Sequence, residues 1–353
     1  MSDQLGTDRL QTFRKEILDL HRTKSADAAA FARTYLERFI DLEVADNVRN
    51  RRDGSRPFDF GIASHDELTF LTKRAMLVAD QMFLSHAKSH PLYQLRNFSR
   101  AGYPGTWETV KEEVHAPQLG VLGRYLLDCM PIFEDGQFLY YPNVQRTIAR
   151  FDNEDPLGSG EGMGPFSTNT NQVIDLVVQG NRLVEVAARA YVQGKVIKPL
   201  LVLDLPSIEG TTLADFCKIT TQESESLAPL QAFLREKLLA IDDEPQAASV
   251  EAARLSVEIR DGVRAVQSEM RRLTRRSAVQ HAGAGLATIT ASLIAIAGVD
   301  LAATLSLLGA SGGLWGIVAS RESYLHEKSL LRERPFYLLW VLSKSAKPVL
   351  GGA

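Results

Sequence analysis

Apolar residues recur at helical spacing along much of this chain, and that spacing predicts most of its elements. Residues 7–24 place Leu10, Phe13, Ile17, Leu18 and Leu20 on one side of a helix, the stripe an amphipathic helix buries against a core. Phe31, Tyr35, Phe39, Ile40 and Leu42 continue the pattern and predict a second helix over 26–50. Ser64 and Glu67 fit a capping box, in which each side chain satisfies a free backbone N–H of the other. They predict a third helix reaching about His86 and stopped by Pro91.

Beyond Pro91 the pattern weakens. Residues 91–117 read as an irregular connection with one short helix over 106–114. Residues 118–134 read as helical, and Phe138–Pro142 as a small strand. The stretch 152–171 is rich in Gly, Ser, Asn and Pro and reads as a loop. A helix is expected over 172–193, a strand over the apolar run Val196–Pro206, and helices over Thr212–Lys218 and Ser224–Ile241. From 246 to 280, Leu255, Ile259, Val263, Val266, Met270 and Leu273 predict one long helix with heptad-like spacing. The expected fold is therefore mainly α: a helical body with a few short strands, a long connecting helix and a C-terminal, small-residue-rich helical hairpin. The expected divisions are an N-terminal helical region (1–151), the loop (152–171), a central α region with minor β (172–245), the long basic-ended helix (246–281), the hairpin (282–319) and a return segment (320–353).

The hairpin rests on the most unusual stretch of the sequence. Residues 282–319 contain one charge, Asp300, which divides them into arms over 282–299 and 301–319. As helices, the arms would be about 27 and 28 Å long, close to the roughly 30 Å hydrocarbon core of a bilayer. Arg271, Arg272, Arg275 and Arg276 precede the run and Arg321 follows it. Basic flanks at both ends suit a hairpin whose ends lie on the cytoplasmic face, beside anionic lipid. Trp315 lies near the second boundary. Gly309 with Gly313 and Gly312 with Gly316 form GxxxG pairs, and Gly283 and Gly285 play a similar part in the first arm; such positions let helices approach closely. The same arms, rich in Ala and Gly, also suit a hairpin buried within a soluble bundle.

Composition narrows the function classes. The 353 residues are 45% apolar and 24% charged, which excludes global disorder. Forty basic against 43 acidic residues exclude a chain-wide polycation, so nucleic acid is not the expected partner. Cys129 and Cys217 lack CxxC spacing and read as small buried apolar residues. The polar N-terminus carries no secretory leader pattern, so a reducing, cytoplasm-facing setting is expected.

The usual catalytic signatures are missing. His86 and His90 stand four apart and could share a helix face, but no Glu follows the first His as a zinc-protease motif requires. No metal site and no cofactor are assigned. The loop containing Gly158, Gly160, Gly162 and Gly164 carries acids and no Lys, unlike a phosphate-cradling loop. Asp204 and Glu209, with Asp215 and Lys218 nearby, offer a hydrolase or nuclease alternative, although Asp215 and Lys218 fall on one expected helix. The leading expectation is a non-enzymatic, membrane-associated protein with a cytoplasmic sensing or partner-binding body, in which the glycine faces could support self-association. A soluble helical interaction protein with the hairpin buried is the alternative.

Overall fold

The computed structural model describes residues 2–24, 27–51, 57–66, 68–88, 90–101, 106–152, 166–169, 173–179, 182–187, 190–242, 244–283, 326–327 and 329–346. The chain opens with helices α1 (Ser2–Lys24), α2 (Ala28–Asp41) and α3 (Val44–Arg51). Asp27 starts α2 by accepting from the N–H groups of Ala29 and Ala30, both at 3.0 Å, the role that favours Asp at a helix N-cap. The buried face is aromatic. Phe13 meets Tyr35, Phe39 and Phe133 edge to face at 5.0, 5.8 and 6.2 Å, a geometry favoured by the ring quadrupoles. The single helix expected over 26–50 is broken at Glu43, which has φ 48° and separates α2 from α3.

The central part departs most from the expectation. It contains β1 (Asp59–Ser64), α4 (Leu68–Ala75), β2 (Gln81–His86), β3 (Leu92–Ala101), β4 (Thr106–His115), α5 (Leu119–Asp128), α6 (Met130–Glu134), β5 (Phe138–Tyr140) and β6 (Asn143–Asp152). It continues with β7 (Phe166–Asn169), β8 (Leu176–Gln179) and β9 (Arg182–Glu185). One sheet has the order β5-β2-β1-β8-β9, and a second has the order β3-β4-β6-β7. In the first, β5, β2, β1 and β8 are parallel and only β9 is antiparallel. The second is antiparallel throughout. The mainly α expectation is therefore corrected to an α/β fold.

Each local correction has a physical cause. Most of the helix expected over 64–86 is instead the short helix α4 followed by the parallel strand β2, with Ser64 closing β1. Residues Met82–Ala87 are all buried, and a strand covered on both faces has no two-residue alternation to read. The short helix expected over 106–114 is β4. Its period-two pattern is hidden because Glu108 and Glu112 share a face with Val110 and Val114, and all four are buried. Arg146 neutralises Glu112 at 2.6 Å, and Arg100 pairs with Glu108 at 2.9 Å. The expected helix over 172–193 is the β8–β9 hairpin and the start of α7 (Ala190–Val202), and the expected strand from Val196 belongs to that same helix. Pro199 lies inside α7. A proline there costs about 3 kcal/mol, which the burial of Val196, Ile197 and Leu200 offsets.

Helices α8 (Pro206–Glu209), α9 (Leu213–Gln222), α10 (Ser224–Leu239), α11 (Pro245–Gly283) and α12 (Tyr337–Ser345) complete the fold. Two buried cations on α4 join this helical part to the sheet. Lys73 donates to the carbonyls of Ile208 and Thr211, each at 3.0 Å. Arg74 donates to Leu200 O at 3.3 Å and pairs with Glu209. Val266, Met270 and Leu273 of α11 pack with Tyr337 and Trp340 of α12 in a small second core.

Among the described residues, no helix is long and apolar enough to cross a membrane. This corrects the expectation of a transmembrane helix. The longest helix, α11, interleaves Arg254, Glu258, Arg260, Asp261, Arg264 and Glu269 with its apolar positions, and charges at that density exclude it from hydrocarbon. The uncharged run lies outside the described residues from 284 onward.

Candidate functional site

Parallel strands carry their carboxyl ends to one edge of the sheet, where open α/β sheets form ligand crevices. Here β1 ends at Ser64 and β2 at His86, joined by the bond from Ala87 N to Ser64 O at 2.8 Å. The chain then turns through His90, whose N–H donates to Ala87 O at 3.4 Å. The antiparallel β3–β4 pair leaves this edge and returns to it. At its base, His115 Nδ1 donates to His90 O at 3.1 Å, and Ala116 N donates to Pro91 O at 3.1 Å. Helix α5 follows directly and forms the opposite wall. The result is a cleft of about 650 Å³ lined by residues that include Asp66, Leu68, Thr69, His86, His90, Val121, Leu122, Arg124, Tyr125 and Asp128. That volume falls within the range of small-molecule sites.

The floor of the cleft is a pair of imidazoles. His86 is 4% exposed, and its Nδ1 lies 2.9 Å from the Tyr140 hydroxyl. Burial lowers the His86 pKa to about 3, with a further push from neighbouring His90. The ring is therefore neutral at ordinary pH. Burial also raises the pKa of Tyr140, whose hydroxyl stays protonated. The Tyr140 carbonyl accepts from Tyr35 Oη at 2.8 Å, which ties the floor to α2. The His90 ring meets His86 edge to face with centroids 4.6 Å apart. Burial lowers its pKa as well, and its Nε2 is enclosed without a hydrogen-bond partner.

The α5 wall supplies the charged groups. Burial raises the pKa of Asp128, and Arg124, one turn earlier on α5, opposes that rise. Tyr125 is anchored by a 2.9 Å hydrogen bond between its hydroxyl and that of Thr72. Gly123 lets α5 lie against the start of α2: a Cβ there would stand 1.7 Å from Ala28 O. At Gly120, on the rim, an added Cβ meets nothing within 4 Å.

The other residues singled out from sequence fall elsewhere. His86 and His90 do come together, but from a strand end and the turn after it instead of one helix face. Among the described residues, no group of three or more His, Cys, Asp or Glu side chains could hold a metal ion. Asp204 pairs with Arg260 at 2.5 Å, Glu209 pairs with Arg74, and Asp215 accepts from Thr212 Oγ1 at 2.7 Å. Each of these carboxylates thus has a partner outside the cleft. Arg271 and Arg272 are exposed on α11, Arg275 and Arg276 lie further along that helix, and Gly283 is its last residue. Gly285, Asp300, Gly309, Gly312, Gly313, Trp315, Gly316 and Arg321 lie outside the described residues. Cys129 and Cys217 are buried thiols. Asp66, Arg124, Asp128 and Tyr140 were missed by the sequence reading; for Asp66 the available signal was a polar pair directly following a short apolar run, as His65 and Asp66 follow β1. No protein-family model matches the chain, and neither a curated protein nor a solved structure matches it.

Proposed function

We propose that this chain is a non-enzymatic sensing protein whose body binds a small molecule in the cleft between the β1 and β2 carboxyl ends and α5. The observation that carries this reading is the buried His86–Tyr140 pair beneath the cleft. An acid–base catalyst works best with a pKa near the operating pH, and His86 at about 3 is far from it. A fixed, neutral imidazole held by a second buried group suits recognition through hydrogen bonds. The wall helix α5 packs on α2, and the floor is bonded to α2 through Tyr35. Occupancy would therefore act on the N-terminal helices as well as on the cleft. Gly120→Trp tests the reading, because it adds bulk on the rim where open space surrounds the backbone. A ligand-observed NMR screen of small polar compounds should give hits with the full chain that Gly120→Trp removes. Hits unchanged by that variant would place binding elsewhere.

A second reading concerns α11. Its exposed Arg271 and Arg272 precede the uncharged run within a dozen residues. This supports contact with an anionic lipid surface, with each surface Arg contributing about 1 kcal/mol. Cosedimentation of the full chain with vesicles containing phosphatidylserine should exceed that with neutral vesicles, and Arg271→Gln with Arg272→Gln should remove the excess. Equal recovery with both vesicle types would contradict it.

A further inference from the structure

The charged groups of the cleft act on one another before any ligand arrives. Arg124 opposes the charge of Asp128 one turn away on α5, and Asp66 acts on His90. The floor carries no charge to match. The Tyr140 bond occupies His86 Nδ1 and leaves Nε2 for the cleft that the ring lines. His90 Nε2 is enclosed and makes no hydrogen bond, while the ring itself is bonded to the backbone of His65. A buried polar atom without a partner is costly, so a bound group that reaches it gains a hydrogen bond that the empty cleft lacks. Between the charged side chains the walls are apolar, where Leu68, Val121 and Leu122 line the cleft.

These features select against ions. A free anion would meet two uncharged rings and two carboxylates, with only Arg124 to receive it. A cation would find its counter-charges, Asp66 and Asp128, on the walls and none on the floor, and Arg124 already opposes Asp128. A flat, uncharged molecule with donor and acceptor groups on one edge meets both imidazoles and buries its faces against aliphatic side chains. Building on the ligand-binding reading above, we propose that the cleft takes an uncharged nitrogen heterocycle, its polar edge on His86 and His90 and its faces against Leu68 and Val121. The volume of about 650 Å³ leaves space beyond one ring system, so a substituent such as a sugar fits alongside.

The test uses the full chain with adenine and uracil as neutral probes and inorganic phosphate and acetate as charged ones, read by saturation-transfer NMR and thermal melting. The expected result is saturable binding of at least one heterocycle, weakened tenfold or more by His90→Ala and lost in Gly120→Trp. Near-native melting of Gly120→Trp separates blocking from unfolding. Binding of phosphate or acetate that Gly120→Trp abolishes, with both heterocycles silent, would overturn the ligand class and leave the cleft reading standing. Binding of any probe that both variants leave unchanged would overturn the cleft reading itself.

Discussion

Two clefts among the described residues treat their polar groups in opposite ways. The groove between α11 and the segment entering α8 has about 450 Å³ and contains Asp204 and Arg260. Those two side chains are about half exposed and pair directly at 2.5 Å. Water and each other satisfy them, so the groove has no unmet polar demand. In the cleft at the sheet edge, the imidazole of His86 is desolvated and held from behind, while His90 Nε2 is enclosed without a partner. Charge in a groove is therefore weaker evidence for a ligand than a fixed, buried polar group left short of a partner. The sequence drew attention to Asp204 because carboxylates are conspicuous; burial shifts the weight to His86 and His90.

The largest expected effect comes from pH. The His86 pKa in the folded chain lies below the value near 6.5 of an unfolded chain. The folded state therefore resists protonation. The stabilising contribution is fully present above pH 6.5 and is lost as pH falls toward about 3, with a slope of at most about 1.4 kcal/mol per pH unit. His86→Phe should flatten that slope in urea melts run across the window. An unaltered slope in His86→Phe would break the contrast between the two clefts.

Next in size is the wall. Gly123→Ala drives a Cβ into the Ala28 carbonyl, and overpacking of this kind costs about 1–3 kcal/mol or more. Gly120→Ala, three residues earlier on the same helix, meets nothing and should be neutral or stabilising by up to about 1 kcal/mol. Chemical denaturation of the two variants measures the difference. Equal stabilities would mean that α5 does not lie against α2 as described.

Tyr140→Phe should cost about 1–3 kcal/mol, because it leaves the buried His86 Nδ1 without its 2.9 Å partner. Ligand affinity should fall with it, since the floor imidazole loses its orientation. The smallest effect belongs to the other groove. Arg260→Gln breaks an exposed pair and should cost no more than about 1 kcal/mol. A loss larger than that of Tyr140→Phe would reverse the ranking of the two clefts.

How much of this was legible in the sequence depended on one-sided burial. Helices α1 and α2 hide one face, so Phe13, Ile17, Phe31 and Tyr35 announce themselves by spacing. Strand β2 is covered on both faces, and its apolar run was read as helix because no alternation contradicted it. In α7, the apolar run from Val196 suggested a strand, yet tertiary burial of Ile197 and Leu200 held the helix together across Pro199. The buried carboxylates of β4 concealed a strand because their arginine partners Arg100 and Arg146 come from neighbouring strands. The site was legible only as the pair His86 and His90. Tyr140 lies 54 residues beyond His86, and only the parallel pairing of β2 with β5 brings it there. Pairing across such a distance leaves no local trace.

The central claim is that His86 is a neutral, fully held imidazole at the floor of a binding cleft. Nitrogen-15 NMR of the histidine-labelled full chain, followed from pH 8 downward, tests it most directly. The account predicts that His86 stays neutral until the approach to pH 3, far below the value of about 6.5 for a solvated imidazole. Titration of His86 near 6.5 would show a solvated, ionisable ring and would contradict the reading of this cleft as a preformed recognition site.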